Sequence, residues 1–209
     1  MISKKITQNQ YFNKSKSLNR GNKFNIPYEP NYETKYTCDI SNGYIQSKNL
    51  SLFQGVSEEL DCGGNSTFEY AYFLLTNPNK SNVNIYVKNS LISNLSPNPI
   101  IVRVYYCVEY VVGNLEKSNF VTITNSNSSG TLPQGKILFG NDLEKVSGIY
   151  GQNLIISPYN MFNFTENGGI IISPGFSYLF EISSANTDIT SNFTMSFSWW
   201  EENMPSFMD

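Results

Sequence analysis

The chain has 209 residues, enough for one well-buried domain with an appendage, and it contains no histidine. Because imidazole is the commonest general base and transition-metal ligand, its absence argues against most hydrolases and metalloenzymes. Only 15% of the residues are charged while 14% are aromatic, which favours half-buried strands over solvated helices. The composition therefore predicts an all-β protein that is not an enzyme and needs no cofactor.

The net charge of −3 is unevenly distributed along the chain. Residues 1–35 carry seven Lys or Arg against two Glu, a net charge of +5, and the remainder carries −8. A basic segment of this kind often contacts nucleic acid or anionic membrane, but the acidic body of the same protein is an equally available partner. We expect self-association into a head-to-tail homopolymer, with neither nucleic acid nor membrane as a partner.

Residues 1–35 are predicted to form an extended basic N-terminal arm, because they lack sustained apolar periodicity and contain Pro27 and Pro30. An extended arm of ~35 residues spans up to about 115 Å, whereas a body of ~170 residues has a radius of gyration near 16 Å. Such an arm can cross its own subunit and reach a neighbour. The residues expected to make the assembly contacts are Lys14, Lys16, Arg20, Lys23, Phe24, Tyr28 and Tyr32.

The basic start of the chain is followed by no apolar run, so no signal peptide is expected, and no stretch approaches the ~18 apolar residues that span a bilayer. Synthesis in the cytoplasm is therefore expected. A final location outside the cell would be reached after lysis of the cell that made the protein, or by a route that leaves no recognisable signal in the sequence.

Residues 36–209 are predicted to form a jelly-roll-like β-sandwich, because short β-rich runs alternate with Gly, Asn and Pro. Strict alternation is clearest in Ile100–Val112, in 176–183 and in 192–200. No window shows a helical apolar stripe. The predicted strands are 43–54, 67–76, 82–92, 100–112, 119–125, 135–139, 146–150, 153–157, 160–164, 169–173, 176–183 and 192–200.

The three cysteines, Cys38, Cys62 and Cys107, have no metal-type spacing. In a reducing cytoplasm they would be free thiols, with Cys107 filling space in its sheet. If the assembled product later meets an oxidising exterior, at least one of them would cross-link subunits. Cys38 is then the best candidate, because it lies where the arm meets the body.

Two further features carry candidate contacts. Neighbours on a strand face opposite sides, so the adjacent pair Trp199 and Trp200 predicts one buried ring and one ring at an interface or on a sugar. The acidic clusters 58–61 and 201–202 are interpreted as solvated charge in loop or terminal segments, not as catalytic carboxylate pairs.

Three segments carry a resemblance to a known family. An Asn-Pro turn leads into a strand within 76–87, a Ser-Asn-Leu-Ser-Pro connection lies within 93–100, and an Ile-Ser-Pro-Gly turn lies within 168–177. Over roughly 70–184 the chain resembles a family of small uncharacterised proteins of low-GC, spore-forming bacteria. The motifs are signatures of a fold and carry no chemistry. Relative to that family, the basic arm and the residues after about 185 are expected to be additions for assembly.

In architecture the chain also looks like the subunits of endospore appendage fibres, which are jelly rolls with an N-terminal extension that enters a neighbouring subunit. Residues 1–37 contain no cysteine, so the cysteine-rich connector of those proteins is absent. The resemblance implies a self-assembling fibre or coat subunit on the spore surface. A virion structural protein, such as a phage capsid, decoration or tail component, and a carbohydrate-binding module are the alternatives.

Overall fold

The computed structural model describes residues 3–11, 31–39, 51–109, 111–124 and 132–204. Within these ranges the structure is all-β, as the composition predicts, and contains no helix. Accordingly, no helix in the described ranges is long and apolar enough to cross a membrane. Contacts between residues divide the chain into two units, Met1–Ile45 and Gln46–Asp209.

The first unit contains an antiparallel pair of strands, β1 (Ser3–Tyr11) and β2 (Asn31–Asp39). The pairing runs without a register shift from Ser3 opposite Asp39 to Tyr11 opposite Asn31. The sequence pattern did not predict these strands, because Lys, Thr, Asn and Gln occupy both sides of β1 and leave no apolar alternation.

The described residues of the second unit form twelve strands in two antiparallel sheets. They are β3 (Leu52–Val56), β4 (Leu60–Cys62), β5 (Tyr70–Thr76), β6 (Val83–Asn94), β7 (Ile100–Val108), β8 (Val111–Lys117), β9 (Phe120–Ile123), β10 (Lys136–Val146), β11 (Ile149–Ile156), β12 (Met161–Ile172), β13 (Ser177–Ser184) and β14 (Ser191–Asn203). Sheet 1 has the order β11-β7-β13-β5-β10-β8. Sheet 2 has the order β12-β6-β14-β3-β9, and β4 also pairs with β14.

Several predicted strands have different bounds in the structure. The predicted strand 100–112 is two strands, because β7 ends at Val108 and β8 begins at Val111. Conversely, the predicted pair 146–150 and 153–157 is the single strand β11, and the pair 160–164 and 169–173 is the single strand β12. The first half of the predicted strand 43–54 lies outside the described residues.

The core lies between the two sheets and is built from the alternate residues that the sequence pattern indicates. Large side chains on β13 and β14 interdigitate, and the ring centres of Phe180 and Phe197 lie 5.8 Å apart in an edge-to-face contact. Phe164 on β12 packs on Phe180 in the same way at 5.3 Å. Burying each such side chain contributes about 1.5–3 kcal/mol, so the two sheets are held mainly by this layer.

Consecutive strands repeatedly change sheets. β5 lies in sheet 1, β6 in sheet 2 and β7 in sheet 1, and β11 to β14 alternate in the same manner. This alternation is the jelly-roll-like feature of the sandwich. It brings β11 and β12 together at one end of the sandwich, and places β8 and β9 at the other end.

Candidate functional site

The structure leaves most of the predicted arm contacts undescribed. Lys14, Lys16, Arg20, Lys23, Phe24 and Tyr28 lie outside the described residues. Tyr32 lies in β2 opposite Gln10, and Cys38 lies in the same strand opposite Lys4.

The two cysteines of the second unit differ sharply in access to solvent. Cys62 is fully buried, and burial raises the pKa of its thiol to about 11, so it does not fit a cross-link between subunits. Cys107 is exposed, which contradicts the expectation that it fills space in its sheet. The reason is an irregularity in the pairing of β7 with β13, where Cys107 adopts a left-handed φ of 52° and turns outward.

The expectation of one exposed tryptophan is wrong for the folded chain, because Trp199 is 0% and Trp200 is 5% exposed. Trp199 faces the core, where it packs near Phe53. Trp200 lies on the outer side of β14, stacked on Tyr86 with ring centres 5.4 Å apart. Gly168 covers the Trp200 ring so closely that a Cβ at this position would collide with it. Neither indole offers a surface for a sugar.

The carboxylates at the end of β14 are not simply solvated. Glu201 accepts hydrogen bonds from the backbone N–H groups of Gln134 at 3.0 Å and Gly135 at 2.8 Å, and from the Trp199 indole N–H at 3.1 Å. Glu202 accepts the indole N–H of Trp200 at 3.1 Å. Both side chains therefore fix the tryptophan pair, and neither forms a catalytic pair of carboxylates.

The Asn-Pro motif forms a buried polar network. Asn77 is 0% exposed, and its side-chain amide donates to the carbonyl oxygens of Val83 at 2.8 Å and Ile172 at 2.9 Å. Its side-chain oxygen accepts from the Ser81 hydroxyl. The backbone N–H of Gly175 donates to the Asn77 carbonyl at 2.8 Å. The Asn-Pro motif and the Ile-Ser-Pro-Gly motif are thus hydrogen-bonded to each other, and their role is structural.

The Ser-Asn-Leu-Ser-Pro motif forms a similar buried hydrogen-bond network at the next connection between the sheets. The side-chain amide of Asn94 donates to the carbonyl oxygens of Asn98 at 2.8 Å and Ser157 at 3.1 Å. Its oxygen accepts from both the N–H and the hydroxyl of Ser96. Because buried polar groups need partners, asparagine at these positions is explained without a ligand.

One buried carboxylate lies between the sheets. Glu166 accepts hydrogen bonds from the hydroxyls of Tyr178 at 3.1 Å and Ser90 at 3.3 Å, while its second oxygen has no partner among the described residues. Burial raises the pKa of Glu166, and burial together with the neighbouring carboxylate raises that of Tyr178. The unpartnered oxygen is itself inaccessible, although the residue as a whole is half-buried and lines a cavity with Tyr106 and Gln152; its hydrogen bonds tie β12 to β13 and β6.

A surface that we call the apolar edge lies where the edge strands β11 and β12 face each other. Both strands end their sheets, and each pairs on one side only in the described part of the chain. Six large apolar side chains of these two strands, and Tyr159 in the turn between them, are between 44% and 72% exposed. The apolar edge consists of Ile149, Tyr150, Ile155, Tyr159, Met161, Phe162 and Ile171. Exposed apolar side chains on edge strands that pair on one side only mark an interaction surface.

A second surface, which we call the acidic groove, lies at the other end of sheet 1, between β8, β10 and the segment that leads into β4. Its volume is about 450 Å³. Its lining combines three glutamates with aromatic rings and includes neither Lys nor Arg. The lining residues are Glu58, Glu59, Leu60, Phe68, Asn114, Glu116, Phe139, Gly140 and Asn141.

Sequence reasoning missed most of both surfaces. The sequence shows Glu58 and Glu59 as part of an acidic cluster. Glu116 lies beside them only because β8 pairs with β10. The exposed apolar residues of β11 and β12 lie in apolar runs, and such runs predict a buried core as readily as an exposed surface. Glu116 and Phe68 gave no signal in the sequence that would have distinguished them from ordinary surface residues.

A family model of proteins of unknown function, DUF6143, matches residues 28–206. The chain belongs to this family. Membership in DUF6143 agrees with the expected likeness to an uncharacterised family, and the match includes β14, so the residues after 185 are not an addition to the family's region. Residues 1–27 lie outside the matched region. Comparisons with curated proteins and with solved structures returned no match.

Proposed function

We propose that this DUF6143 protein is a self-assembling structural subunit of a fibre or coat, whose copies join head to tail. The apolar edge carries the proposal, because two edge strands that each pair on one side only, together with the turn between them, expose seven large apolar side chains. Monomeric proteins rarely leave such an edge uncovered, since it templates association. The spore surface as the location rests on the sequence resemblance alone.

The two ends of the sandwich support head-to-tail joining in particular. The apolar edge and the acidic groove lie at opposite ends of sheet 1 and differ in chemistry. When two different surfaces of identical subunits bind each other, every added subunit leaves one copy of each surface free at the ends of the assembly. Repeated contacts that do not close on themselves then give a helical filament.

The experiment is sedimentation velocity and negative-stain electron microscopy of the full chain and two variants. Ile155→Lys combined with Met161→Lys puts two charges on exposed positions of the apolar edge, and should reduce assemblies to monomers with unchanged β circular dichroism. Ile189→Lys, at an exposed apolar position outside that edge, is the control and should assemble like the wild type. A wild-type protein that stays monomeric at high concentration, or edge variants that assemble normally, would contradict the proposal.

A further inference from the structure

We propose that residues 12–28 of one copy bind in the acidic groove of a neighbouring copy. This assignment rests on the proposed self-assembly and adds a second contact between subunits, beside the one made by the apolar edge. The basic segment lies outside the described residues, whereas the groove lies within them.

The groove has a fixed shape. β10 bulges where Gly140 and Asn141 stand opposite the single residue Leu115, and this irregularity opens the space beside β8. A Cβ at Gly140 would lie 3.0 Å from the Asn114 carbonyl, so a larger residue would crowd this wall. The Asn141 amide donates to the carbonyl oxygens of Asp61 at 2.7 Å and Tyr70 at 3.2 Å, which ties the far wall to β10.

The charge of the groove is uncompensated. Glu58 and Glu116 form no ion pair with any described residue, and Glu59 accepts only a neutral amide hydrogen bond from Asn192 at 2.8 Å. Residues 12–28 contain Lys14, Lys16, Arg20 and Lys23 and not a single Asp or Glu. Opposite charges of this kind steer encounter and fix register.

The arrangement of the carboxylates fits a peptide better than a metal ion. In the described ranges, no group of three or more Asp, Glu, Cys or His side chains is placed so that it could hold a metal ion. The three glutamates of the groove therefore do not converge on one ion. Their carboxylates remain available to the basic side chains of a peptide.

The groove also offers an apolar contact. Phe68 is 42% exposed at its rim, Leu60 is half-buried in its wall and Phe139 forms its floor. The basic segment carries Phe24 directly after Lys23. A base and an aromatic ring in succession match a groove that has glutamates and a phenylalanine at its rim.

The test is fluorescence anisotropy with a labelled peptide of residues 12–28. The host is the full chain carrying Lys14→Glu, Lys16→Glu, Arg20→Glu and Lys23→Glu, so that its own segment cannot compete for the groove. The peptide should bind this host, and binding should weaken as salt rises. Adding Glu58→Lys and Glu116→Lys to the host should raise the dissociation constant at least about tenfold.

The control adds Glu109→Lys and Asp188→Lys, two exposed carboxylates outside the groove, and changes the net charge of the host by the same amount. This control should bind like the host. Equal loss of binding in both variants would show that the attraction is not localised in the groove and would overturn the assignment, as would the absence of binding to the host.

The outcomes separate this assignment from the proposed function. If the wild-type chain forms filaments while the peptide does not bind the host, the groove assignment fails and self-assembly stands. If the peptide binds in the groove while the wild-type chain stays monomeric, the groove assignment stands and self-assembly fails.

Discussion

Replacing Asn77 with aspartate tests whether the buried motif network holds the connections between the sheets. The wild-type amide donates to the carbonyl oxygens of Val83 at 2.8 Å and Ile172 at 2.9 Å. Aspartate has almost the same shape, but it places a carboxylate oxygen where the donor was. The Ile172 carbonyl then loses the amide donor, the Val83 carbonyl keeps only the Ser81 hydroxyl at 3.3 Å, and both face a negative charge.

The expected loss is large. Each buried carbonyl left without a donor costs about 1–3 kcal/mol, and a buried charge without a partner is destabilising by a similar or larger amount. We therefore expect Asn77→Asp to lower the free energy of unfolding by about 3–5 kcal/mol at neutral pH, against a typical total of about 5–15 kcal/mol.

The loss should depend on pH in a known direction. Burial and the two carbonyl oxygens would raise the folded-state pKa of the introduced carboxyl above its ordinary value of about 3.9. The folded state would then bind the proton more tightly than the unfolded state. The difference in free energy of unfolding between the wild type and Asn77→Asp is therefore largest above that raised pKa. It shrinks as pH falls through that pKa.

The assay is urea denaturation of the wild type and the variant from neutral pH down to about pH 4. Asn79→Asp is the matched control, because Asn79 is an exposed residue of the same turn, and it should behave like the wild type. Equal free energies of unfolding for all three proteins at neutral pH, or a deficit that does not change with pH, would refute the reasoning.

Three other predictions follow from buried or exposed groups. Trp200→Ala should lower the free energy of unfolding by about 3–5 kcal/mol, because the ring is 5% exposed; near-normal stability in urea would instead favour a surface role. Glu166→Gln should stabilise the protein at neutral pH. The raised pKa of Glu166 means that the wild type alone gains stability as pH falls towards the ordinary glutamate range, so melting curves of the two proteins should converge there. Cys107 should react with a thiol reagent in the folded protein, whereas Cys62 should react only after denaturation, because burial raises its pKa to about 11; labelling of native Cys62, detected by mass spectrometry, would contradict this.

The strands that the sequence predicted well are those with strict alternation. In β7, β13 and β14 large apolar residues alternate along most of the strand, and burial follows that period in the first six residues of β7 and of β14, whereas β13 is buried on both faces. Errors arose where backbone irregularities interrupt the period. The sequence predicts a break at 165–168, yet these residues belong to the continuous strand β12, whose register shifts between Thr165 and Ile170. Cys107 adopts a left-handed conformation that favours glycine, so its residue type did not predict the backbone irregularity.

The candidate surfaces were harder to predict because they depend on pairing between distant strands. The tryptophan rings lie on opposite sides of β14, as the sequence predicts, but Tyr86 and Gly168 cover the outer ring of Trp200 and bury it as well. Glu116 reaches the acidic groove only through the register of β8 on β10. Single-sequence patterns report the period of one strand and carry no information about its neighbours.

The position of β14 bears on how the protein is made. This strand lies in the middle of sheet 2, between β6 and β3, although it is the last strand along the described chain. Until residues 191–203 have left the ribosome, β6 and β3 have no partner between them, and the inner face of sheet 1 has little to pack against. The sandwich can therefore close only late in synthesis. Copies emerging side by side on one messenger RNA would not yet have finished surfaces with which to polymerise, which postpones assembly until each subunit has folded.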